Sequence, residues 1–183
     1  MMYNICMQTP RFTEVVESFD CGYCGRHVDG DGCTNHCPGC FNPASWDFAA
    51  GTPFTDDIIN NIIDLCRKDT IAGLSVLGGE PMNVRNQEGI SKLVKKFKKE
   101  LPNKNIWMWS GYNWEDMQEG GKVNTIYTKE ILSCVDVLVD GPFVETQKSL
   151  RLKYKGSKNQ RLLDLKATEE KGKPVLFRQP RKS

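Results

Sequence analysis

The sequence predicts an α/β fold built on parallel strands, a partial barrel or an open sheet, on three observations. Short apolar runs alternate with amphipathic segments. Each run ends in a polar or glycine-bearing loop, the usual place for function in such folds. The chain has 183 residues, whereas a complete eight-unit barrel takes roughly 250.

The first helical pattern opens at Thr55, an N-cap type. Asp56 and Asp57 suit its first turn, and Ile58, Ile59, Ile62, Ile63 and Cys66 recur at helical spacing. A buried strand is expected over Ala72 to Leu77, closed by Gly78-Gly79-Glu80-Pro81. Ile90, Leu93, Val94, Phe97 and Leu101 mark the next helix. Lys95, Lys96, Lys98 and Lys99 cover its outer side, and Pro102 stops it. A second strand spans Asn105 to Trp109, with Trp107 and Trp109 alternating with Ile106 and Met108, and leads into Ser110-Gly111-Tyr112. A short helix over Thr128 to Ser133 precedes a third strand, Val135 to Val139, which ends at Asp140-Gly141-Pro142. There is no internal repeat. The chain divides into one domain over 1–165 and a basic C-terminal appendage over 166–183, polar and without periodicity.

The apolar fraction of 39% is enough for a buried core, and no run approaches the ~18 apolar residues of a membrane span. Met1 to Arg11 lacks a basic stretch followed by an apolar one, so a cytoplasmic protein is expected. The net charge of +2 hides an asymmetry. From Thr146 onward 12 Lys and Arg face only Asp164, Glu169 and Glu170, a local charge of +9 against −7 for the rest. Such an end suits an acidic protein surface or remains a solvated tail. No aromatic residues interleave with its charges as a base-stacking platform requires, so nucleic acid is not the expected partner.

Eight cysteines are present, and Cys21, Cys24, Cys33, Cys37 and Cys40 fall within twenty residues. In a chain with reduced thiols this clustering points to metal binding or catalysis before disulfides. Cys66 and Cys134 sit among apolar neighbours and read as core, whereas Cys6 could serve either role and is expected to be structural. Two groupings compete. Cys33, Cys37 and Cys40 form C-x3-C-x2-C, three thiolates on a tight loop, able to hold three irons of a [4Fe-4S] cluster and leave the fourth open. Cys21-x2-Cys24 with Cys37-x2-Cys40 instead resembles a four-thiolate zinc site with a short gap, to which His27 and His36 could add.

The triplet, followed by Phe41 and, forty residues on, by Gly78-Gly79-Glu80-Pro81, resembles the signature of the radical S-adenosylmethionine enzymes. Within them, Cys37-Pro38-Gly39-Cys40-Phe41-Asn42-Pro43 through Trp46, then Gly51-Thr52-Pro53-Phe54, resembles the activating proteins of anaerobic ribonucleoside-triphosphate reductases. So do Asn105 to Tyr112, Val137 to Phe143 and Gly156-Ser157-Lys158-Asn159-Gln160-Arg161. The likeness runs from about Gly32 to Leu165. Met7 to Asp31 departs from it, lacking the Gly-Pro-Gly, arginine and apolar strand usual before the first cluster cysteine. Divergence, an added metal site and a local reading-frame change are three readings of that segment.

The resemblance implies a partial (β/α) barrel of the radical S-adenosylmethionine type. It implies a [4Fe-4S] cluster on Cys33, Cys37 and Cys40. It implies S-adenosylmethionine flanked by Gly39, Cys40 and Phe41, with its methionyl end at Gly78, Gly79 and Glu80. An electron from reduced flavodoxin or a similar donor would cleave that molecule, and the resulting 5′-deoxyadenosyl radical would generate a glycyl radical on the reductase catalytic subunit. Glu80 either accepts from the methionyl amino group or caps the next helix. Tyr112 and Asp140 fall at the rim, His36 faces solvent, and Lys148 onward would dock an acidic reductase surface. Two alternatives remain: a small-molecule radical S-adenosylmethionine enzyme, such as a deazaguanine synthase, and a zinc-binding interaction module on Cys21, Cys24, Cys37 and Cys40.

Overall fold

The computed structural model describes residues 5–7, 10–15, 26–30, 32–40, 43–49 and 52–178. Their strands are β1 (Ile5–Met7), β2 (Pro10–Val15), β3 (Arg26–Gly30), β4 (Thr52–Pro53), β5 (Gly73–Val76), β6 (Asn105–Trp109), β7 (Val137–Asp140) and β8 (Arg161–Asp164). The α-helices are α1 (Asp56–Leu65), α2 (Gln87–Glu100), α3 (Thr128–Cys134) and α4 (Leu165–Lys171). The strands form one mixed sheet in the order β4-β2-β1-β3-β5-β6-β7-β8.

The middle of this sheet is parallel: β3 pairs with β5, β5 with β6, and β6 with β7. These strands point the same way, so the loops leaving β3, β5, β6 and β7 gather at one edge of the sheet. The strand before the cysteine triplet, left undefined by the sequence, is β3, which ends two residues before Gly32. The departing segment nonetheless supplies a parallel neighbour for β5, in register from Arg26 opposite Leu74 to Val28 opposite Val76.

Helices cover one sheet face as their periodicity predicts. Thr55 caps α1 by accepting from the Ile58 N–H, and Ile59, Ile62 and Ile63 are buried. Ile90, Leu93, Val94 and Phe97 of α2 join them, with Leu74, Val76, Ile106 and Met108 beneath. The opposite face holds its own cluster, Trp107, Val137 and Val139, with Trp109, Tyr154, Leu162 and Phe177 packed against it. Period-2 alternation in β6 thus supplies two apolar faces, because a parallel strand in the middle of a sheet is covered on both sides.

Residues 166–178, expected as part of a C-terminal appendage, pack onto the sheet. Asp164 caps α4 through the Ala167 N–H at 2.9 Å, and Gly172 ends it in a left-handed turn at φ +60°. The chain then returns along β8, where the Phe177 N–H donates to Leu162 O at 2.8 Å. The Phe177 ring stands edge-on to Trp107 at 5.3 Å. A return of so few residues has no periodicity to read; only the neighbouring strand gives it a place. Among the described residues, no helix is long and apolar enough to cross a membrane.

Candidate iron–sulfur and ligand site

The cysteine loop leaves β3 at the edge where the parallel strands end. Its two ends are tied together, the Gly32 N–H donating to Ser45 O at 2.7 Å and the Cys33 N–H to Trp46 O at 3.4 Å. Within it the Cys40 N–H donates to Cys37 O at 3.1 Å, closing a turn with Pro38 and Gly39 at its centre. Gly39 has φ +70°, the value a type II turn demands at the position after proline. The Pro-Gly pair therefore explains the C-x2-C spacing locally: it folds the chain so that Cys37 and Cys40 stand at the two ends of one turn. His36 is exposed, as expected, and stacks on Trp46 with centroids 4.5 Å apart.

Cys33, Cys37 and Cys40 are free thiols. Cys33 is 6% exposed, and burial pushes its thiol up to about 11. Burial raises Cys37 too, and the nearby Cys40 adds to it. Desolvation disfavours the bare thiolate, whereas a bound cation reverses that preference and takes the deprotonated sulfur. Three soft donors on one loop thus fit an iron–sulfur cluster, in which each thiolate serves a different iron and the sulfurs need not converge on one point. Among the described residues no three His, Cys, Asp or Glu side chains are grouped to hold a single metal ion. Cys21 and Cys24, required by the zinc grouping, lie outside the described residues, as does Phe41.

Gly78 and Gly79 are half-buried at the end of β5, and Glu80 beside them is 1% exposed. Burial raises the Glu80 carboxyl above its ordinary range, against four hydrogen bonds that lower it. The Met82 N–H and the Ser110 hydroxyl donate to Oε1 at 2.9 and 2.7 Å. Asn35 Nδ2 and the Gly111 N–H donate to Oε2 at 2.8 and 2.6 Å. Gly111 allows this approach, since a Cβ there would stand 2.4 Å from Asn35 Nδ2.

Neutral bonds surround the carboxylate. Asn86 Nδ2 reaches Gly32 O at 2.8 Å and Glu80 O at 2.7 Å. Asn83 Nδ2 donates to Thr34 Oγ1 at 3.1 Å, and Thr34 also meets the Tyr112 hydroxyl at 3.3 Å. Tyr112 is therefore tied to the cysteine loop. Asn35, Asn83 and Asn86 carried no signal in the sequence, because an asparagine inside a loop is indistinguishable from a turn former until its partner is known.

Asp140 is fully buried at the end of β7 and accepts from the Trp114 N–H at 2.7 Å. Arg161 forks onto it, its Nε donating to Oδ1 at 2.9 Å and its Nη2 to Oδ2. The same guanidinium donates to both Glu115 oxygens, at 3.0 and 2.6 Å. Asn159 Nδ2 donates to Pro142 O at 2.7 Å and Gln160 Nε2 to Gly141 O at 3.0 Å. Asn159-Gln160-Arg161 thus clamps the loop leaving β7, whose Glu145 carboxylate comes within 3.4 Å of the position a Gly39 Cβ would take.

Residues 25–163 match the family model of the 4Fe-4S single cluster domain. The chain is 37% identical over 133 residues to the anaerobic ribonucleoside-triphosphate reductase-activating protein of Escherichia coli (strain K12), covering 70% of this chain and 80% of that one. It is 36% identical over 131 residues to the protein of that name from Haemophilus influenzae, with 70% and 80% covered. The one from Enterobacteria phage T4 is also 36% identical over 131 residues, with 72% and 78% covered. No solved structure matches the chain. The matched residues 25–163 take in the cysteine loop, the buried carboxylate and the clamp on the loop after β7, and the chain, by its likeness to these relatives, belongs to the family of anaerobic ribonucleoside-triphosphate reductase-activating proteins.

Proposed function

We propose that this protein is a radical S-adenosylmethionine enzyme that activates the catalytic subunit of an anaerobic ribonucleoside-triphosphate reductase, working in the cytoplasm with reduced flavodoxin or a similar donor. One observation carries the reading: a loop with three free cysteines lies where the parallel strands end, bonded to the loop that begins Gly78-Gly79-Glu80. The names of the relatives supply the partner. Cys33, Cys37 and Cys40 hold three irons of a [4Fe-4S] cluster and leave the fourth without a protein ligand. When bound and reduced, the cluster supplies the electron that cleaves S-adenosylmethionine to methionine and a 5′-deoxyadenosyl radical, whose target is a glycine Cα of the reductase. The chain's own part is positional. Gly39, Cys40 and Phe41 would flank S-adenosylmethionine, and Gly78 and Gly79 would line its methionyl end. The parallel strands β3, β5, β6 and β7 with their helices form the staves of a partial (β/α) barrel, and the loops at their ends exclude water from the ligand.

The test is anaerobic purification, reconstitution with iron and sulfide, and electron paramagnetic resonance of the reduced protein with and without S-adenosylmethionine. A [4Fe-4S]⁺ signal that changes on adding the ligand, and that is lost in Cys33→Ser, Cys37→Ser and Cys40→Ser, is the expected result. Tightly bound zinc without such a signal would overturn it. Incubation of the loaded protein with the reductase should then produce a glycyl radical signal.

A further inference from the structure

Glu80 is saturated. A carboxylate offers about four lone-pair sites. Here all four are taken by donors of this chain: Met82 N–H, Ser110 Oγ, Asn35 Nδ2 and Gly111 N–H. The side chain is 1% exposed, so solvent does not compete for it. The donors come from three loops. Asn35 lies between two of the triplet cysteines, Met82 follows β5, and Ser110 and Gly111 follow β6. An ammonium group could bind this carboxylate only by displacing one of them, and on Oε1 that would leave the buried Met82 N–H or Ser110 hydroxyl unpaired.

We propose that Glu80 is a positioning residue, a strut that holds the cysteine loop against the loop after β6 with Asn35 as its arm, and that it does not receive the methionyl amino group. The second half rests on the function proposed above; the first stands on the structure alone. Asn35 is the arm because, among the described residues, it is the donor to Glu80 that lies on the cysteine loop. The neutral bonds from Asn83 and Asn86 to Thr34 and Gly32 hold the start of that loop, before the turn that carries Cys37 and Cys40. Without the charge-assisted bond from Asn35, the interior of the loop between Cys33 and Cys37 keeps no other side-chain tie to Glu80 among the described residues.

The test compares Asn35→Ala, Glu80→Gln, Asn35→Asp and the exchange Glu80→Gln/Asn35→Asp in the full chain. Circular dichroism first establishes that each is folded. Hydrogen–deuterium exchange of the peptide covering 33–40 is read in the metal-free protein. S-adenosylmethionine affinity is read in the loaded protein from the ligand-dependent resonance signal. A strut predicts exchange about tenfold faster in Asn35→Ala and faster still in Asn35→Asp, where two carboxylates face each other. The exchanged pair should recover part of the protection lost in Asn35→Asp, because the amide at position 80 can donate to the carboxylate at position 35, while the Gly111 N–H loses its acceptor. Affinity should fall together with protection across the series. Unchanged exchange in Asn35→Ala and Asn35→Asp would overturn the strut. A loss of affinity confined to Glu80→Gln, with loop protection intact, would instead make Glu80 the amino receptor. If no variant and no wild-type protein loads a cluster, the functional reading fails while the exchange data still decide the strut. Asn35→Ala keeps three of the four donors on Glu80, so it remains informative if Glu80→Gln does not fold.

Discussion

At the scale of single residues, Arg161 stands between Asp140 and Glu115, the ion pair among the described residues with a fully buried carboxylate. Asp140 is fully buried, and removing its guanidinium partner would leave a desolvated carboxylate bonded only to the Trp114 N–H. Arg161→Met should therefore destabilise the fold by about 3 kcal/mol, measured by urea denaturation near neutral pH. Arg161 also holds the Glu115 carboxyl below its ordinary range. A depressed carboxylate contributes stability above its unfolded-state value and loses it as pH falls through the folded one. The gap between wild type and Arg161→Met should accordingly narrow in acid, and only modestly because Glu115 is exposed. Gly111→Ala is a second residue-scale prediction. Its Cβ would stand 2.4 Å from Asn35 Nδ2 and 3.2 Å from Glu80 Oε2, so protection of the cysteine loop from hydrogen exchange should fall.

At the scale of elements, α1 and α2 were legible in the sequence because each combines a sustained apolar stripe with a boundary signal, an N-cap for α1 and Pro102 after α2. Thr55 with Asp56 and Asp57 opens α1, and the Thr55 side chain accepts as an N-cap should. Thr55→Ala should cost about 1 kcal/mol, and Ile62→Ala, fully within the core, about 3 kcal/mol by thermal or urea unfolding. The strands β5, β6 and β7 were equally legible from their apolar runs. The antiparallel β8 was not. Arg161, Leu162, Leu163 and Asp164 are too few to show a period, and their strand character comes from pairing with β7, Leu138 opposite Leu163. The segment after β8 follows the same logic. Phe177→Ala should cost about 2 kcal/mol, below the ~3–5 of a fully buried phenylalanine, because the ring is only half-covered on Trp107.

At the scale of the whole molecule, the basic C-terminal charge resolves into two parts. Residues 165–178 are structural, whereas the loop between β7 and β8 carries exposed Lys148, Arg151, Lys153 and Lys158 around Leu150, which is 97% exposed. Among the described residues none of these four has an ion pair, and Lys155 is spent on the carbonyls of Lys158 and Gln160. The loop opens beside the cysteine turn, through Glu145. Neutralising Lys148, Arg151 and Lys153 to Gln should weaken binding to the reductase about tenfold at low salt and flatten its salt dependence, read by titration calorimetry at two ionic strengths. Equal affinity and an unchanged salt slope would remove this loop from the interface.

The sequence by itself determined the helices α1, α2 and α3, the central strands, the family and the cysteine triplet. Each of these is written in local pattern: periodicity, caps, a Pro-Gly turn, or cysteine spacing. Only the tertiary structure decided what Glu80, Asn35, Asp140 and Arg161 bond to. Asn35 and Glu80 are 45 positions apart and meet at 2.8 Å, and Asp140 and Arg161 meet across β7 and β8. A carboxylate has no role until its donors are placed. Those donors come from loops that neighbour one another only because parallel pairing brings the ends of β3, β5, β6 and β7 to one edge of the sheet.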